Sequence, residues 1–501
     1  MNATKDSLKR MATGAGIIVF GILISKFFTY FYRLVVARIG ATEYGLLSLA
    51  MAIFGFTAIV SLIGVDMGVL RYVSFFRVKK DYQKIKGTIL GAFKISLILS
   101  FLIAFLLFIL SDFIAGSFFH KPELAILLKI FAFAVPFQSL RAVFINTAKG
   151  FEKVQYEMYT KNIIENVLKV VLTLILLYFG FSVVGAALGY ALALFVSMIF
   201  AVYFVQKKVF PVFSSKIKAV YSNKELVNYS WPLLFKELLV VIMLWTDTIM
   251  LGHFSTSAQV GIYNAAVPTA QMSQMIPYAI IVLFLPVASQ LFFTNKRKDF
   301  ENVFKTTTKW IFMLNIILTA GFVLFPQQIL SILFGSEYAV GASTLTLLAI
   351  GYFIFYLCFT SREILLMVKR TRTVFFVTLF GTLLNVVLNY LLIPVYGIIG
   401  AAYATFLSVL LISVFMIAVT YNLTKVNPFK FVLIKIFFVM VFVCGVVKLF
   451  LQPMLGVSNF WSVMLGVIVV LFYALLLLET KCIDKEDKFI IDLIKQKVGL
   501  K

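Results

Sequence analysis

The stretch ISKFFTYFYRLVVAR, residues 24–38, is apolar enough to cross a membrane, yet it places Lys26 and Arg33 inside the crossing. A cation at mid-bilayer costs about 2.5–3.5 kcal/mol on insertion scales. Seven positions apart on a helix, the two cations share a face, with Thr29 and Tyr30 between them. A polar stripe of this kind is expected to face a protein interior or a wet cavity. The fold class turns on whether the rest of the chain is also built for lipid.

Composition says that it is. The 501 residues are 62% hydrophobic and 13% charged, whereas ordinary soluble domains are about 45–50% apolar and 25% charged. Mean hydropathy is +1.02. A formal net charge of +24 would suggest a nucleic-acid partner in a soluble protein. In a membrane protein the same excess collects in cytoplasmic loops.

Apolar runs of about 20 residues, the length that spans a hydrocarbon core, fall at 13–36, 46–70, 88–111, 125–147, 162–179 and 183–206. They continue at 229–252, 259–292, 307–330, 343–367, 374–394, 398–421, 430–451 and 458–479, fourteen in all. Alternate loops are basic. Lys5, Lys9 and Arg10 come first, then Arg77 to Lys86, Lys149 to Lys161, Lys207 to Lys224, Lys296 to Lys298 and Lys369 to Arg372. The intervening loops hold little beyond Arg38, Lys121 and Lys448. The positive-inside rule then puts both termini in the cytoplasm, which an even number of crossings requires. The first run reads as a retained span, because it is long and ends in no small-residue cleavage site. The short loops and retained span suit a plasma membrane.

Soluble-enzyme chemistry has little to stand on. Cys358, Cys444 and Cys482 are isolated, His120 and His253 are the two histidines, and GxSxG, Walker and HExxH motifs are absent. No metal, cofactor or catalytic residue is expected, and the protein is not expected to be an enzyme.

The chain also repeats itself. EYGLLSLA at 43–50 lines up with QVGIYNAA at 259–266, IAGSFF at 114–119 with ILSILF at 329–334, and FSVVGAALGYA at 181–191 with GIIGAAYATF at 397–406. All three intervals are about 215 residues. Six spans return each copy to its starting side, so the copies are parallel. Repeats of this kind frame a central site in many transporters. The expected fold is therefore all-α and integral to the membrane, with fourteen helices. Six-helix lobes at 1–221 and 222–425 are followed by an extra helix pair at 426–479 and a cytoplasmic amphipathic tail at 480–501.

FYRLVVARIGATEYGLLSLAMAIFGFTAIVSLIGVDMGVLRYVSFF at 31–76 resembles the opening of the polysaccharide transporter family. That family belongs to the multidrug, oligosaccharidyl-lipid and polysaccharide exporter superfamily. The likeness rests on Ala37-Arg38, Gly40, Glu43 to Leu46, Gly64 and Arg71-Tyr72. Asp247, Gly252, Gly261 and Tyr263 carry it into WTDTIMLGHFSTSAQVGIYNAAVP at 245–268. The resemblance implies a flippase that carries a polyprenyl-(di)phosphate-linked oligosaccharide between leaflets by alternating access.

The intramembrane polar residues fit such a cargo. Lys26, Arg33, Arg141 and Lys236 are the candidate diphosphate contacts, since Arg offers a planar fork and Lys a point charge. Asp247 and Glu237 are candidate sites for sodium or proton coupling. Tyr30, Asn166, Asn385 and Asn389 are candidate sugar contacts. Lys169 has Glu165 four positions earlier, which reads as a structural ion pair. Pro136, Pro232, Pro268, Pro277 and Pro286 mark bends that serve as gates or as static packing. The expected partners are an anionic glycolipid, membrane lipids and glycan-assembly enzymes, with the protein a monomer. A cation-coupled drug antiporter of the same superfamily is the competing reading. It would want cavity carboxylates, whereas the mid-membrane excess here is basic. A membrane glycosyltransferase would need a larger extramembrane domain, and a non-transporting scaffold would bury Lys26 and Lys236 in ion pairs.

Overall fold

The computed structural model describes residues 24–451, 459–480 and 482. The amphipathic tail and the first half of the first span lie outside the described residues. Among the described residues all regular structure is helical, as a bilayer demands of chains that do not close a barrel.

Nine of these helices are long and apolar enough to cross a membrane, and a bent pair at 257–293 makes up to ten. Within the described residues, the fourteen expected spans fall on helix. The first is seen as α1 (24–37). The second begins earlier than expected, as α2 (Ala41–Leu62), and stops where Ile63 and Gly64 take left-handed backbone (φ 46° and 72°) before α3 (Val65–Val78). Then follow α4 (Tyr82–Phe113), α5 (Leu124–Gly150), α6 (155–178), α7 (Ser182–Phe204), α8 (Asn223–Phe254) and α9 (Ser257–Ala270). Next come α10 (Met275–Phe293), α11 (Arg297–Leu324), α12 (Pro326–Leu333), α13 (Ala342–Leu357) and α14 (Phe359–Met367). The eleventh and twelfth spans join in α15 (Thr371–Thr424), broken at Gly397 (φ 56°, ψ −130°), where the sequence places the turn. Helices α16 (Val432–Val446) and α17 (Asn459–Glu479) form the last pair.

The helices gather into two compact units. One holds the described residues up to Ala265 with Asn389–Ala401, and the other holds Ala266–Leu388 with the described residues from Ala402. In the first unit α5 is the hub, packed on α2, α3, α4 and α7. In the second, α16 packs on α11 and α17 through Phe312, Ile316, Leu433, Ile436, Met440, Leu465 and Val469.

Within the first unit the internal repeat becomes a physical contact. A Cβ on Gly45 would stand 1.8 Å from the carbonyl oxygen of Ser257, and one on Gly261 would stand 2.0 Å from that of Ala41. Gly45 pairs with Gly261 in the repeat, and Ala41 with Ser257 at the same interval. Each contact is therefore the counterpart of the other under a pseudo-two-fold relation, the isologous geometry of two like surfaces. The repeat registers the two stretches and the missing side chains let their backbones touch. Gly45→Ala or Gly261→Ala forces the pair apart. Over-packing a tight contact costs about 1–3 kcal/mol. Thermal unfolding of either variant in lipid nanodiscs should show that loss, and an unchanged midpoint would refute the contact.

Candidate functional site

The polar residues of the first unit converge beside a π-turn. Residues Met158–Ile164 of α6 wind as a π-helix, a feature that often marks functional sites. Directly after it come Glu165, Asn166 and Lys169, which are 8%, 3% and 4% exposed. They are accommodated because α1 supplies hydrogen bonds, α5 an ion pair and α7 an aromatic ring.

Lys169 Nζ donates to Asn166 Oδ1 at 2.9 Å. The same oxygen accepts from Thr29 Oγ1 at 3.1 Å, and Asn166 Nδ2 donates to Ser25 Oγ at 3.1 Å, so α1 is tied to α6. The Lys169 ammonium also lies 4.9 Å from the Tyr32 ring and 5.2 Å from the Tyr190 ring. Such cation–π contacts stabilise a desolvated ammonium by about 2 kcal/mol, but they do not neutralise it. Arg33 donates to the Tyr44 hydroxyl at 3.3 Å, and Tyr44 donates on to the Asn264 carbonyl at 3.1 Å.

These groups line a cavity of about 150 Å³ whose walls include Ser25, Thr29, Arg33, Lys161, Glu165 and Lys169. Three cations face it, against one carboxylate. That carboxylate is already engaged, because Glu165 forms an ion pair with Arg141. Arg141 also donates to Gln138 Oε1 at 2.5 Å. The i,i+4 pair expected between Glu165 and Lys169 is not formed: Glu165 turns to α5, and Lys169 turns toward α1 and the two tyrosines. Among the described residues, neither Lys161 nor Lys169 has a carboxylate within ion-pair distance. Among the described residues the cavity wall therefore carries more cations than carboxylates, with Lys169 buried, Arg33 half-buried and Lys161 exposed. An isolated buried ion is costly without a partner, and of the three cations Lys169 is the one so placed.

The expected site residues separate. Arg33 lines the cavity and Asn166 braces it, while Arg141, only 3% exposed, stands behind it as the partner of Glu165. Lys26 is exposed on α1, and Tyr30 is half-buried there. Lys236 is exposed on α8 and pairs with Glu237 at 3.3 Å. Asp247 accepts from the Tyr263 hydroxyl at 2.5 Å and from Asn389 Nδ2 at 2.6 Å. In the second unit Asn385 Nδ2 donates to Thr405 Oγ1 at 3.3 Å. Lys161, Lys169, Tyr32 and Tyr190 were not among the expected site residues. The spacing Lys161, Glu165, Lys169 on one helix face was the signal for the lysines, whereas nothing local marks the tyrosines.

Known proteins bear on this geometry. Residues 11–292 match the family described as "Polysaccharide biosynthesis protein", and residues 232–391 match the family described as MatE. An uncharacterized membrane protein of Methanocaldococcus jannaschii is 26% identical, covering 77% of this chain and 79% of that protein. The "Probable low-salt glycan biosynthesis flippase Agl15" of Haloferax volcanii is 25% identical, covering 81% of each. The solved structure titled "Lipid II flippase MurJ, inward closed conformation" superposes with a TM-score of 0.71 at 16% identity, covering 95% of this chain and 99% of that one. The chain thus has the same fold as that structure.

Proposed function

The chain belongs to the polysaccharide biosynthesis protein family, and on that premise we propose that it is a flippase for an anionic lipid-linked glycan. The cargo is a polyprenyl-(di)phosphate-linked oligosaccharide or a related glycolipid. It crosses the plasma membrane by alternating access, with no bond made or broken, to supply cell-surface polysaccharide synthesis. Both termini are cytoplasmic in this reading, and six-helix lobes at 1–221 and 222–425 do the moving.

The observation that supports it best is the cavity of the first unit, with Arg33, Lys161 and Lys169 facing it and its one carboxylate committed to Arg141. An organic cation would be repelled there, and a phosphate oxygen would find charge-assisted donors. Lys26 and Lys236, exposed on α1 and α8, are secondary phosphate contacts along the path. Asp247, with Glu237 as the alternative, is the carboxylate proposed to couple transport to sodium or protons.

The test is reconstitution into proteoliposomes with a fluorescent polyprenyl-diphosphate oligosaccharide. The protein should accelerate its exchange between leaflets. A protein that leaves this lipid in place and instead exchanges an organic cation for sodium or protons is the drug antiporter. The same assay under an imposed sodium or proton gradient, with Asp247→Asn alongside, reads the coupling: gradient dependence should vanish in the variant.

A further inference from the structure

The second unit holds a polar cluster that the phosphate chemistry does not use. Helix α9 ends at Ala270, and Gln271–Gln274 form a 3-10 turn before α10 resumes at Met275. Pro268 and Pro277 flank the turn, so the backbone loses helical hydrogen bonds on both sides. The turn falls midway along the expected 259–292 span, at membrane depth. A 3-10 adjustment of this kind re-satisfies backbone groups that proline frees in a membrane helix. Gln271 and Gln274 are half-buried, while Met272 and Tyr278 are 38% and 46% exposed.

Aromatic rings from α13 and α14 complete the cluster. Gln271 Nε2 donates to the Tyr352 hydroxyl at 2.9 Å. Tyr352 lies parallel to Tyr356, with centroids 5.8 Å apart and planes at 15°. The Tyr278 ring stands edge-on to Phe359 at 5.1 Å. These residues supply amides, hydroxyls and aromatic faces, and none of them is charged.

That set matches one chemical class. A pyranose ring presents an apolar C–H face that suits the negative face of an aromatic ring. Its hydroxyls need donors and acceptors together, which amide and phenol groups both provide. A lipid tail would gain nothing from the glutamines, and an organic cation would find no carboxylate among these groups. We propose that Gln271, Gln274, Tyr278 and Tyr352 form a subsite for neutral sugar residues of the cargo. The proposal rests on the flippase reading and adds to it a glycan contact separate from the phosphate cavity.

The experiment compares binding of two probes to the protein in nanodiscs: a polyprenyl diphosphate carrying a hexose disaccharide, and the bare polyprenyl diphosphate. The wild type should bind the glycosylated probe about tenfold more tightly, the value of a stacking contact with one or two neutral hydrogen bonds. Gln271→Leu and Tyr352→Leu should bring that ratio close to one with bare-lipid affinity unchanged. Tyr352→Phe, which keeps the ring and loses the hydroxyl, should fall between. A wild type that binds both probes equally, or variants that weaken both equally, would overturn the sugar subsite and leave the flippase standing. A wild type that binds neither lipid overturns both.

Discussion

Glu165→Ala should lose about 3–5 kcal/mol of stability, the cost of leaving a buried cation without its partner. Arg141 is 3% exposed and Glu165 8%, and they pair with each other. Among the described residues, removing the carboxylate leaves the guanidinium on α5, 3% exposed, with Gln138 as its remaining side-chain partner. Thermal unfolding in nanodiscs should show the loss as a large drop in midpoint. Replacing both partners with apolar residues of similar size, Arg141→Met with Glu165→Leu, should recover most of it. Buried pairs exchanged together for hydrophobic residues are often neutral or stabilising. The contrast is Lys236→Ala: the Lys236–Glu237 pair is exposed, with side chains 62% and 38% accessible, and exposed pairs contribute about 0–1 kcal/mol. A Glu165→Ala protein as stable as Lys236→Ala would mean that Arg141 is not held by Glu165.

The same pair shows where the sequence could be read and where it could not. Fourteen hydrophobic runs needed only local composition, and where they fall on described residues they fall on helix. Gly45 and Gly261 were visible as repeat landmarks, and their close approach follows from the lack of a side chain on both. Partner choice was the harder matter. Glu165 had Lys169 within a helical turn and Arg141 on a different helix. Spacing along one helix favoured the lysine. Packing of α5 against α7, which sets how α6 faces them, decided for the arginine, and that depends on side chains distant in sequence. Tyr32 and Tyr190 carry no local sign of function, since an aromatic residue in a membrane helix is ordinarily packing. They matter because α1 and α7 bring both rings to one ammonium. Lys26 illustrates the reverse: its place on a polar stripe was legible, yet the cavity takes Ser25, Thr29 and Arg33 from that helix and Lys26 is exposed.

The cation that should matter most to transport is therefore Lys169. Lys169→Gln should slow flipping of a polyprenyl-diphosphate oligosaccharide by about ten- to a hundredfold in proteoliposomes, since a charge-assisted hydrogen bond contributes about 1.5–3 kcal/mol. Glutamine is close in length and its amide can still bond Asn166, so the network joining α1 to α6 should survive and the protein should fold. What is removed is the charge, at a point 4% exposed and flanked by two aromatic rings, where little water screens it. A positive charge in water would lose most of its pull on a phosphate, because attraction scales inversely with the local dielectric. Exposed cations should accordingly count for less, and Lys26→Ala and Lys236→Ala should each cost under about threefold. Lys169→Arg should retain part of the rate, because it restores the charge but fits a larger, planar group into a cavity of about 150 Å³. If Lys26→Ala and Lys236→Ala were crippled while Lys169→Gln transported normally, phosphate recognition would lie on the exposed faces of α1 and α8. The buried lysine would then serve only to hold α1 against α6, a role for which its hydrogen bond to Asn166 would be enough.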